Sequence, residues 1–159
     1  MEYRKMKNRM TDIIFIMISA LIFGGELVLK THIEENEESG KIRHILGDRI
    51  LVRKYHNEGA CLNVGEKKRG IVAGLSLLLT GVLTVVFAMT LGTCGNTWLK
   101  AGLSILLGGA FSNTYDRLKR KYVVDYFSFH VKWEPLRRVV FNLSDFCILI
   151  GALVIALRG

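Results

Sequence analysis

Four long apolar segments alternate with segments that carry most of the charged residues. The apolar segments lie at residues 12–29, 71–91, 98–113 and 139–157, and the charges concentrate at residues 1–9, 30–69 and 116–138. An α-helix rises 1.5 Å per residue, so about 20 residues cross a hydrocarbon core of about 30 Å. The pattern predicts one domain over residues 1–159, an all-α membrane protein with four transmembrane helices.

The even number of spans determines which segments share a membrane face. Both termini and the short link at residues 92–96 lie on one face, and the loops at residues 30–70 and 114–138 lie on the other. The basic cluster at residues 4–9 favours a cytoplasmic N-terminus, but the two loops together carry more Lys and Arg than the termini. Charge alone therefore leaves the orientation open.

The first loop has the pattern of a small β-sheet. Residues 42–46 and 49–55 are rich in β-forming side chains, and Gly47 and Asp48 between them are typical of a turn. Residues 34–40 read as an acidic loop, and residues 122–131 read as extended. We expect a small extracytoplasmic β-rich loop region that rests on the bilayer.

Composition excludes several other classes of protein. Half of the residues are hydrophobic, and the formal net charge of +8 comes from cations that flank apolar spans, where anionic headgroups lie. This placement argues against a nucleic-acid partner. Cys61, Cys94 and Cys147 are too dispersed for a disulfide framework or a zinc site, and we expect neither a metal nor a cofactor.

Polar side chains gather at one end of the predicted bundle. Asn113, Asp116 and Arg117 close the third span, while Asn142 and Asp145 open the fourth. Ionisable groups at membrane depth are costly, so each is a candidate functional residue. Purely structural roles are also open. Asn142 with Asp145 fits a helix cap, and Asp116 with Arg117 fits an interfacial ion pair.

Asp125 is the third acid in this region, inside the apolar run at residues 123–127. It is either a solvated acid on an edge strand or a buried acid that needs a partner. Two carboxylates held close together share one proton, so one acts as a base toward water and the other as an acid. This is aspartic peptidase chemistry, and the chain lacks the HExxH and GxSxG motifs. A thiol pair of His56 with Cys61 has no supporting motif.

Four blocks of sequence resemble the signal peptidase II family. Three are Gly-Gly-Ala-Phe-Ser-Asn-Thr-Tyr-Asp-Arg at residues 108–117, Val-Val-Asp-Tyr at 123–126 and Phe-Asn-Leu-Ser-Asp at 141–145. The fourth, His-Asn-Glu-Gly-Ala at 56–60, is similar to a stretch of the family's first outer loop. Glu26 and Lys30 fall where the family has an Asp and a Lys.

The resemblance implies a four-helix aspartic endopeptidase of the bacterial cytoplasmic (inner) membrane. Such an enzyme removes signal peptides from diacylglyceryl-modified prolipoproteins just before the lipidated cysteine. It implies cytoplasmic termini and a site near the outer face, with prolipoproteins and membrane lipids as partners, and we expect a monomer. By this likeness Asp125 and Asp145 are the catalytic pair, and the supporting or substrate-binding residues are Asn57, Gly59, Asn113, Asp116, Arg117, Asn142, Glu26 and Lys30.

Three positions depart from the family's pattern. Glu26 stands in place of an Asp, and Ser112 and Lys121 each stand in place of a Gly. The Gly that the family has at the position of Lys121 would suit a turn with positive φ. These departures keep an alternative open, a catalytically idle relative that binds lipoprotein or lipid without cleavage. A channel or transporter is disfavoured, because spans two and three have few charges within their apolar cores.

Overall fold

The structure is a computed structural model that describes residues 2–59 and 65–158. Ala60 and Cys61 lie outside the described residues, and with them the disfavoured pair of His56 with Cys61 and the end of the 56–60 block. The elements in chain order are α1 (Glu2–Asn36), β1 (Arg43–Ile45), β2 (Ile50–Asn57), a 3-10 turn (Glu66–Lys68), α2 (Arg69–Thr90), α3 (Thr97–Lys119), β3 (Val123–Phe129), α4 (Glu134–Arg138) and α5 (Leu143–Arg158).

Helix α3 is the centre of the bundle, because it packs against α5, α1 and α2 while α1 and α2 scarcely touch each other. Glycines allow the close approach of α3 and α5. A Cβ atom at Gly102 would lie 2.6 Å from Ile155 Cγ1, and one at Gly151 would lie 2.6 Å from the Gly102 carbonyl oxygen. Small residues at such positions let membrane helices pack backbone to backbone.

Two helices, Asn8–Asn36 within α1 and Arg69–Thr90, are long and apolar enough to cross a membrane by length and composition. Helix α3 carries Lys100, Asp116 and Arg117, and α5 has only 16 residues. The chain is therefore helix-rich with two clear candidate spans, and α3 and α5 do not meet the same criterion of length and hydropathy.

The three strands form one antiparallel sheet in the order β1-β2-β3. A strand begins within each of the three segments that the sequence predicted to be extended, and β2 continues to Asn57, two residues beyond the predicted end. A bulge between Val52 and Tyr55 shifts the β2–β3 register and sets Tyr55 opposite Asp125. On the other side of β3, Phe141 forms an isolated antiparallel bridge with Phe127.

Several predicted boundaries were wrong. Helix α1 continues to Asn36 instead of ending near residue 29, so Lys30 and Glu34 are helical, because Ile33 packs on Val52 and Val124 of the sheet. Helix α3 runs to Lys119, beyond the expected end at residue 113. Helix α5, which corresponds to the fourth predicted span, begins at Leu143 and not at residue 139. The chain before it is held extended by the bridge between Phe141 and β3.

A buried ion pair joins the helices at the end of the bundle far from the sheet. Lys100 Nζ lies 2.7 Å from Asp12 Oδ1 and donates to the Thr93 carbonyl oxygen, while the Gly92 backbone N–H donates to Asp12 Oδ2. At the same end, the Arg158 guanidinium lies 5.8 Å from the Trp98 ring centroid. The start of α1, the α2–α3 link and the end of α5 thus share one end, as the span parity predicted.

Candidate active site

Side chains from four elements converge on one cavity of about 280 Å³ beneath the sheet. Asn57 comes from β2, Asp125 from β3, Asn113 and Arg117 from α3, and Asp145 from α5. The walls are completed by apolar residues, which are Val123, Val139, Val140, Phe141 and Ile148. The sequence predicted the polar members, whereas the apolar wall residues carried no signal of their own.

Asp125 is 1% exposed, so the interpretation as a solvated edge-strand acid was wrong. The Phe141 bridge covers β3 on its free side, which removes water from that edge. Asn57 Nδ2 donates to Asp125 Oδ2 at 3.0 Å, and Asn142 Nδ2 donates to Oδ1 at 2.6 Å. Burial, and then the nearby Asp145 carboxylate, raise the pKa of Asp125 to about 7.

Asp145 lies in the first turn of α5 and exchanges hydrogen bonds with Asn142. The Asp145 backbone N–H donates to Asn142 Oδ1 at 3.0 Å, and the Asn142 backbone N–H donates to Asp145 Oδ2 at 3.1 Å. This is the reciprocal cap that the sequence left as an alternative. The cap and the site are compatible, because the Asn142 side chain caps α5 with its oxygen and contacts Asp125 with its nitrogen.

The amide of Asn113 connects Asp145 to the buried amine of Lys30. Asn113 Nδ2 donates to Asp145 Oδ1 at 3.0 Å, while Lys30 Nζ donates to Asn113 Oδ1 at 2.7 Å. Because the ammonium group requires an acceptor, it fixes the amide with its NH₂ toward Asp145. Lys30 also donates to Ser112 Oγ at 3.0 Å, so the serine that departs from the family pattern takes part in this network.

Glu26 is buried but does not line the cavity. Its Oε1 accepts a 2.7 Å hydrogen bond from the Tyr126 hydroxyl, and its Oε2 accepts from the Ser144 hydroxyl at 2.6 Å and backbone at 3.1 Å. Glu26 thus joins α1 to the residues that follow Asp125 and precede Asp145. Burial, and then the Glu26 carboxylate, raise the pKa of Tyr126.

Asp116 pairs with Lys30 at 3.1 Å and with Arg120 at 3.0 Å, so the alternative interpretation as an ion pair with Arg117 was wrong. It also accepts from the Val124 backbone N–H at 3.2 Å, which holds the start of β3 against α3. Arg120 was missed in the sequence, although its spacing of four residues from Asp116 on a helix could have indicated it.

Arg117 reaches toward the outer loop instead. Its Nη2 donates to the Gly59 carbonyl oxygen at 3.1 Å and its Nη1 to the Asn113 carbonyl oxygen at 3.3 Å. The Gly59 backbone N–H in turn donates to Asn57 Oδ1 at 3.2 Å. The buried Nε of Arg117 has no hydrogen-bond partner among the described residues. All ten sequence-predicted residues therefore lie in or directly behind one cavity.

A second cavity of about 260 Å³ opens on the other side of the same residues, toward α2. Asn113, Arg117, Asp145 and Ile148 line both cavities. The walls on the α2 side are Ser76, Leu79, Thr80 and Leu83. Asp145 can thus be approached both from beneath the sheet and from the apolar flank of the bundle.

No three His, Cys, Asp or Glu side chains within residues 2–59 and 65–158 are grouped as a metal site requires. What the cavity does offer is two carboxylates, two amides and a guanidinium donor. This set can bind a peptide backbone and can hold and release a proton near neutral pH.

Comparison with known proteins agrees with this geometry. A lipoprotein signal peptidase of Pseudomonas fluorescens is 30% identical over 148 residues, which cover 90% of this chain and 85% of the relative. That of Vibrio vulnificus (strain CMCP6) is 27% identical over 156 residues, covering 95% and 90%. A solved bacterial membrane enzyme at 2.3 Å resolution shares the fold with a TM-score of 0.75 at 20% identity, over 89% of this chain and 84% of that one.

The family model described as signal peptidase (SPase) II matches residues 18–159, a range that contains every residue of the cavity. Its match begins within α1 and continues through α5, so it covers both carboxylates and the network behind them. This protein therefore belongs to the signal peptidase II family.

Proposed function

We propose that this protein is an aspartic endopeptidase of the bacterial cytoplasmic membrane that removes signal peptides from diacylglyceryl-modified prolipoproteins, cutting just before the lipidated cysteine. The observation that carries the proposal is a pair of carboxylates, the buried Asp125 and the half-buried Asp145, on one cavity. The curated relatives are named lipoprotein signal peptidases, and this membrane protein belongs to their family.

The two carboxylates have different surroundings, which suggests different roles. Asp125 has a pKa of about 7 and can carry the shared proton at neutral pH. Asp145 lies at the N-terminal end of α5, where the helix dipole favours a negative charge, and accepts N–H donors from Asn113 and Asn142. We assign Asp125 as the acid and Asp145 as the base.

In the proposed reaction, Asp145 takes a proton from a water molecule as the water oxygen bonds to the scissile carbonyl carbon. Asp125 gives its proton to the carbonyl oxygen, which forms a neutral tetrahedral intermediate. The C–N bond then breaks, with the Asp145 proton passing to the leaving amine and the hydroxyl proton returning to Asp125. Water is consumed and no metal or thiol takes part.

Asn57, Arg117 and Gly59 are proposed to position the substrate. Arg117 lines the cavity, and its buried Nε–H, which has no acceptor among the described residues, is a donor suited to a carbonyl group of an extended peptide. A buried donor without an acceptor is costly, so substrate binding would satisfy it. The Arg117–Gly59 hydrogen bond would hold the outer loop over the bound chain.

The proposed topology has α1, α2, α3 and α5 as four membrane spans. Helix α3 can carry Lys100 and Asp116 because the helices around it bury both side chains, at 3% and 1% exposure. Helix α5 is short, but the chain before it is extended at Val139 and pairs with β3 at Phe141. The termini would be cytoplasmic, and the sheet would lie at the outer face. Both carboxylates belong to one chain, so a monomer suffices for the reaction.

A cleavage assay tests the function. Purified protein in detergent is incubated with a diacylglyceryl prolipoprotein, and the products are separated on a gel. The matched control is the same precursor without the diacylglyceryl group. We expect cleavage of the lipidated precursor only. Binding of that precursor without any cut product would instead identify an idle relative, and cleavage of both precursors would contradict the proposed specificity.

A further inference from the structure

The outer part of the molecule carries a surface in which large apolar side chains stand beside cations. Leu46 in the β1–β2 turn is 69% exposed, and Trp133 before α4 is 67% exposed. We use the name basic-aromatic face for six residues of this surface, Leu46, Arg49, Lys132, Trp133, Arg137 and Arg138. None of them lines the catalytic cavity.

An open groove connects the two parts of this face. Leu46 and Arg49 line one wall, and His130 and Val131, which lead directly into Lys132, line the other. The His130 backbone N–H donates to the Arg49 carbonyl oxygen at 2.9 Å. His130 Nδ1 also lies 3.0 Å from Asp48 Oδ2. These contacts hold the turn and the segment before α4 together as one surface.

The face has an excess of positive charge. Arg137 and Arg138 share the single carboxylate of Glu134, at 3.0 and 3.4 Å. Arg49 and Lys132 have no side-chain ion pair among the described residues. Four cations therefore stand against two carboxylates, Glu134 and Asp48, and Asp48 also contacts the rings of His44 and His130.

The face also lies close to the lipid boundary. Arg138 ends α4 five positions before Leu143, the first residue of α5, which is apolar and 49% exposed. An extended chain spans at most about 3.5 Å per residue, so the two are within about 17 Å. Tryptophan is enriched at the headgroup level, and basic residues there attract anionic lipids.

We propose that the basic-aromatic face binds the headgroups of anionic phospholipids in the surrounding membrane, with Leu46 and Trp133 inserted at the acyl boundary. Charge complementarity identifies the partner, because four cations around two apolar side chains match a surface of phosphates above acyl chains. Since β3 ends at Phe129, next to His130, this contact would hold the strand that carries Asp125 at a fixed height over the bilayer.

Energy transfer from Trp133 tests this proposal. The protein has two tryptophans, so Trp98→Phe leaves Trp133 as the reporter and Trp133→Phe leaves Trp98 at the opposite end of the bundle. Each variant is placed in nanodiscs that contain a small fraction of dansyl phosphatidylglycerol or dansyl phosphatidylcholine. We expect at least fivefold enrichment of the anionic probe around Trp133, since one basic residue near the surface is worth about that factor.

Neutralising the face should remove the preference. Lys132→Gln with Arg137→Gln in the Trp98→Phe background should bring transfer from Trp133 to the two probes to equality. Arg158→Gln, which removes a cation at the far end, should leave the Trp133 signal unchanged. Equal transfer to both probes in the Trp98→Phe protein would overturn the proposal. Quenching of Trp133 fluorescence by aqueous acrylamide as strong as that of free tryptophan would also overturn the proposal. It would show that Trp133 lies in water, where the face would contact a soluble partner instead.

Discussion

Asn142 contacts both carboxylates of the proposed dyad, with its side-chain nitrogen on Asp125 and its backbone and side-chain oxygen on Asp145. A single residue thus sets the positions of two acids that come from different elements. Replacing either acid by Asn should preserve its contact with Asn142, because the amide oxygen can still accept, while the NH₂ group then faces the amide of Asn57 or Asn113. The two substitutions therefore separate chemistry from structure.

We expect Asp125→Asn and Asp145→Asn each to lower the cleavage rate by about 10²–10⁴-fold, the usual value of general acid–base catalysis. The double variant should be scarcely slower than either single variant, because the acids act as a unit. Initial rates are measured for all four proteins, with monodispersity in detergent as the control for folding. A near-wild-type rate in either single variant would exclude the dyad, and Asp116 would be the next acid to test.

Asp125 also predicts how stability depends on pH. Its folded-state pKa of about 7 lies above the ordinary value for Asp, so the folded protein binds a proton that the unfolded chain releases. The free energy of unfolding is therefore highest in acid, where Asp125 is protonated in both states. It falls by up to about 4 kcal/mol as the pH rises toward 7, because the unfolded chain releases that proton while the folded protein still holds it. Asp125→Asn should therefore raise the melting temperature at pH 8 and change it little at pH 4.

The matched control for this pH effect is Asp48→Asn. Asp48 is exposed, and its pKa is lowered mainly by the hydrogen bond with His44, so the substitution should give no gain at pH 8. Thermal unfolding in detergent, followed by circular dichroism, measures both variants. Equal melting temperatures of wild type and Asp125→Asn at pH 8 would show that burial of this carboxylate does not destabilise the fold.

At the scale of single residues, the sequence predicted the polar members of the cavity but not how they are connected. The Lys30–Ser112 contact joins residues 82 positions apart, and no local pattern encodes such a distance. By contrast, the left-handed backbone at Lys121, with φ of 71°, was foreseeable, because a family glycine at that place indicates a turn. The Lys121 amine donates to the Leu118 carbonyl oxygen at the end of α3.

Among the helices, the contact of α3 with α5 sets the position of Asp145. A Cβ at Gly109 would lie 3.1 Å from Cys147 Cβ and 3.2 Å from Ile148 Cγ1, and it would collide with the Ser144 carbonyl oxygen. Gly81 on α2 has nothing within 4 Å of such an atom. Gly74 on α2 is equally open, so these two glycines do not mark a close approach of helices as Gly109 does.

Gly109→Ala should push the first turn of α5 away from α3. We expect a loss of about 1–3 kcal/mol from overpacking and a fall in cleavage rate of roughly 10²-fold from misplacement of Asp145. Gly81→Ala should keep the rate and be neutral or slightly stabilising, since alanine is the better helix former. Melting temperature and initial rate are compared in the two variants. Full activity in Gly109→Ala would show that α5 can shift without consequence.

The ends of the elements were the least predictable feature. Residues 30–36 are polar enough to resemble a loop, yet they continue α1 because Ile33 and Lys30 are buried against partners distant in sequence. Residues 139–141 are apolar enough to resemble a membrane helix, yet the bridge to Phe127 keeps them extended. In both places tertiary contacts override the local pattern, and hydropathy alone cannot reveal such contacts.

For the whole molecule, the shared end of the termini predicts a definite membrane topology. Fusions of alkaline phosphatase after residue 40 should be active, and fusions after residue 159 should be inactive. Fusions of green fluorescent protein at the same two positions should give the reverse result, because that protein does not fluoresce when exported unfolded. An inverted pattern would place the sheet and the dyad in the cytoplasm and would contradict the proposed access to exported precursors.

Helix α2 is held to the bundle through α3 and scarcely contacts α1, while a cavity between α2 and the α3–α5 pair reaches Asp145. A substrate entering by this route would arrive sideways from the lipid and never dissolve in water. Its effective concentration would then be its mole fraction in the bilayer. Adding plain phospholipid to mixed micelles, with enzyme and precursor amounts fixed, should slow cleavage by surface dilution, whereas adding buffer should leave the rate per enzyme nearly constant.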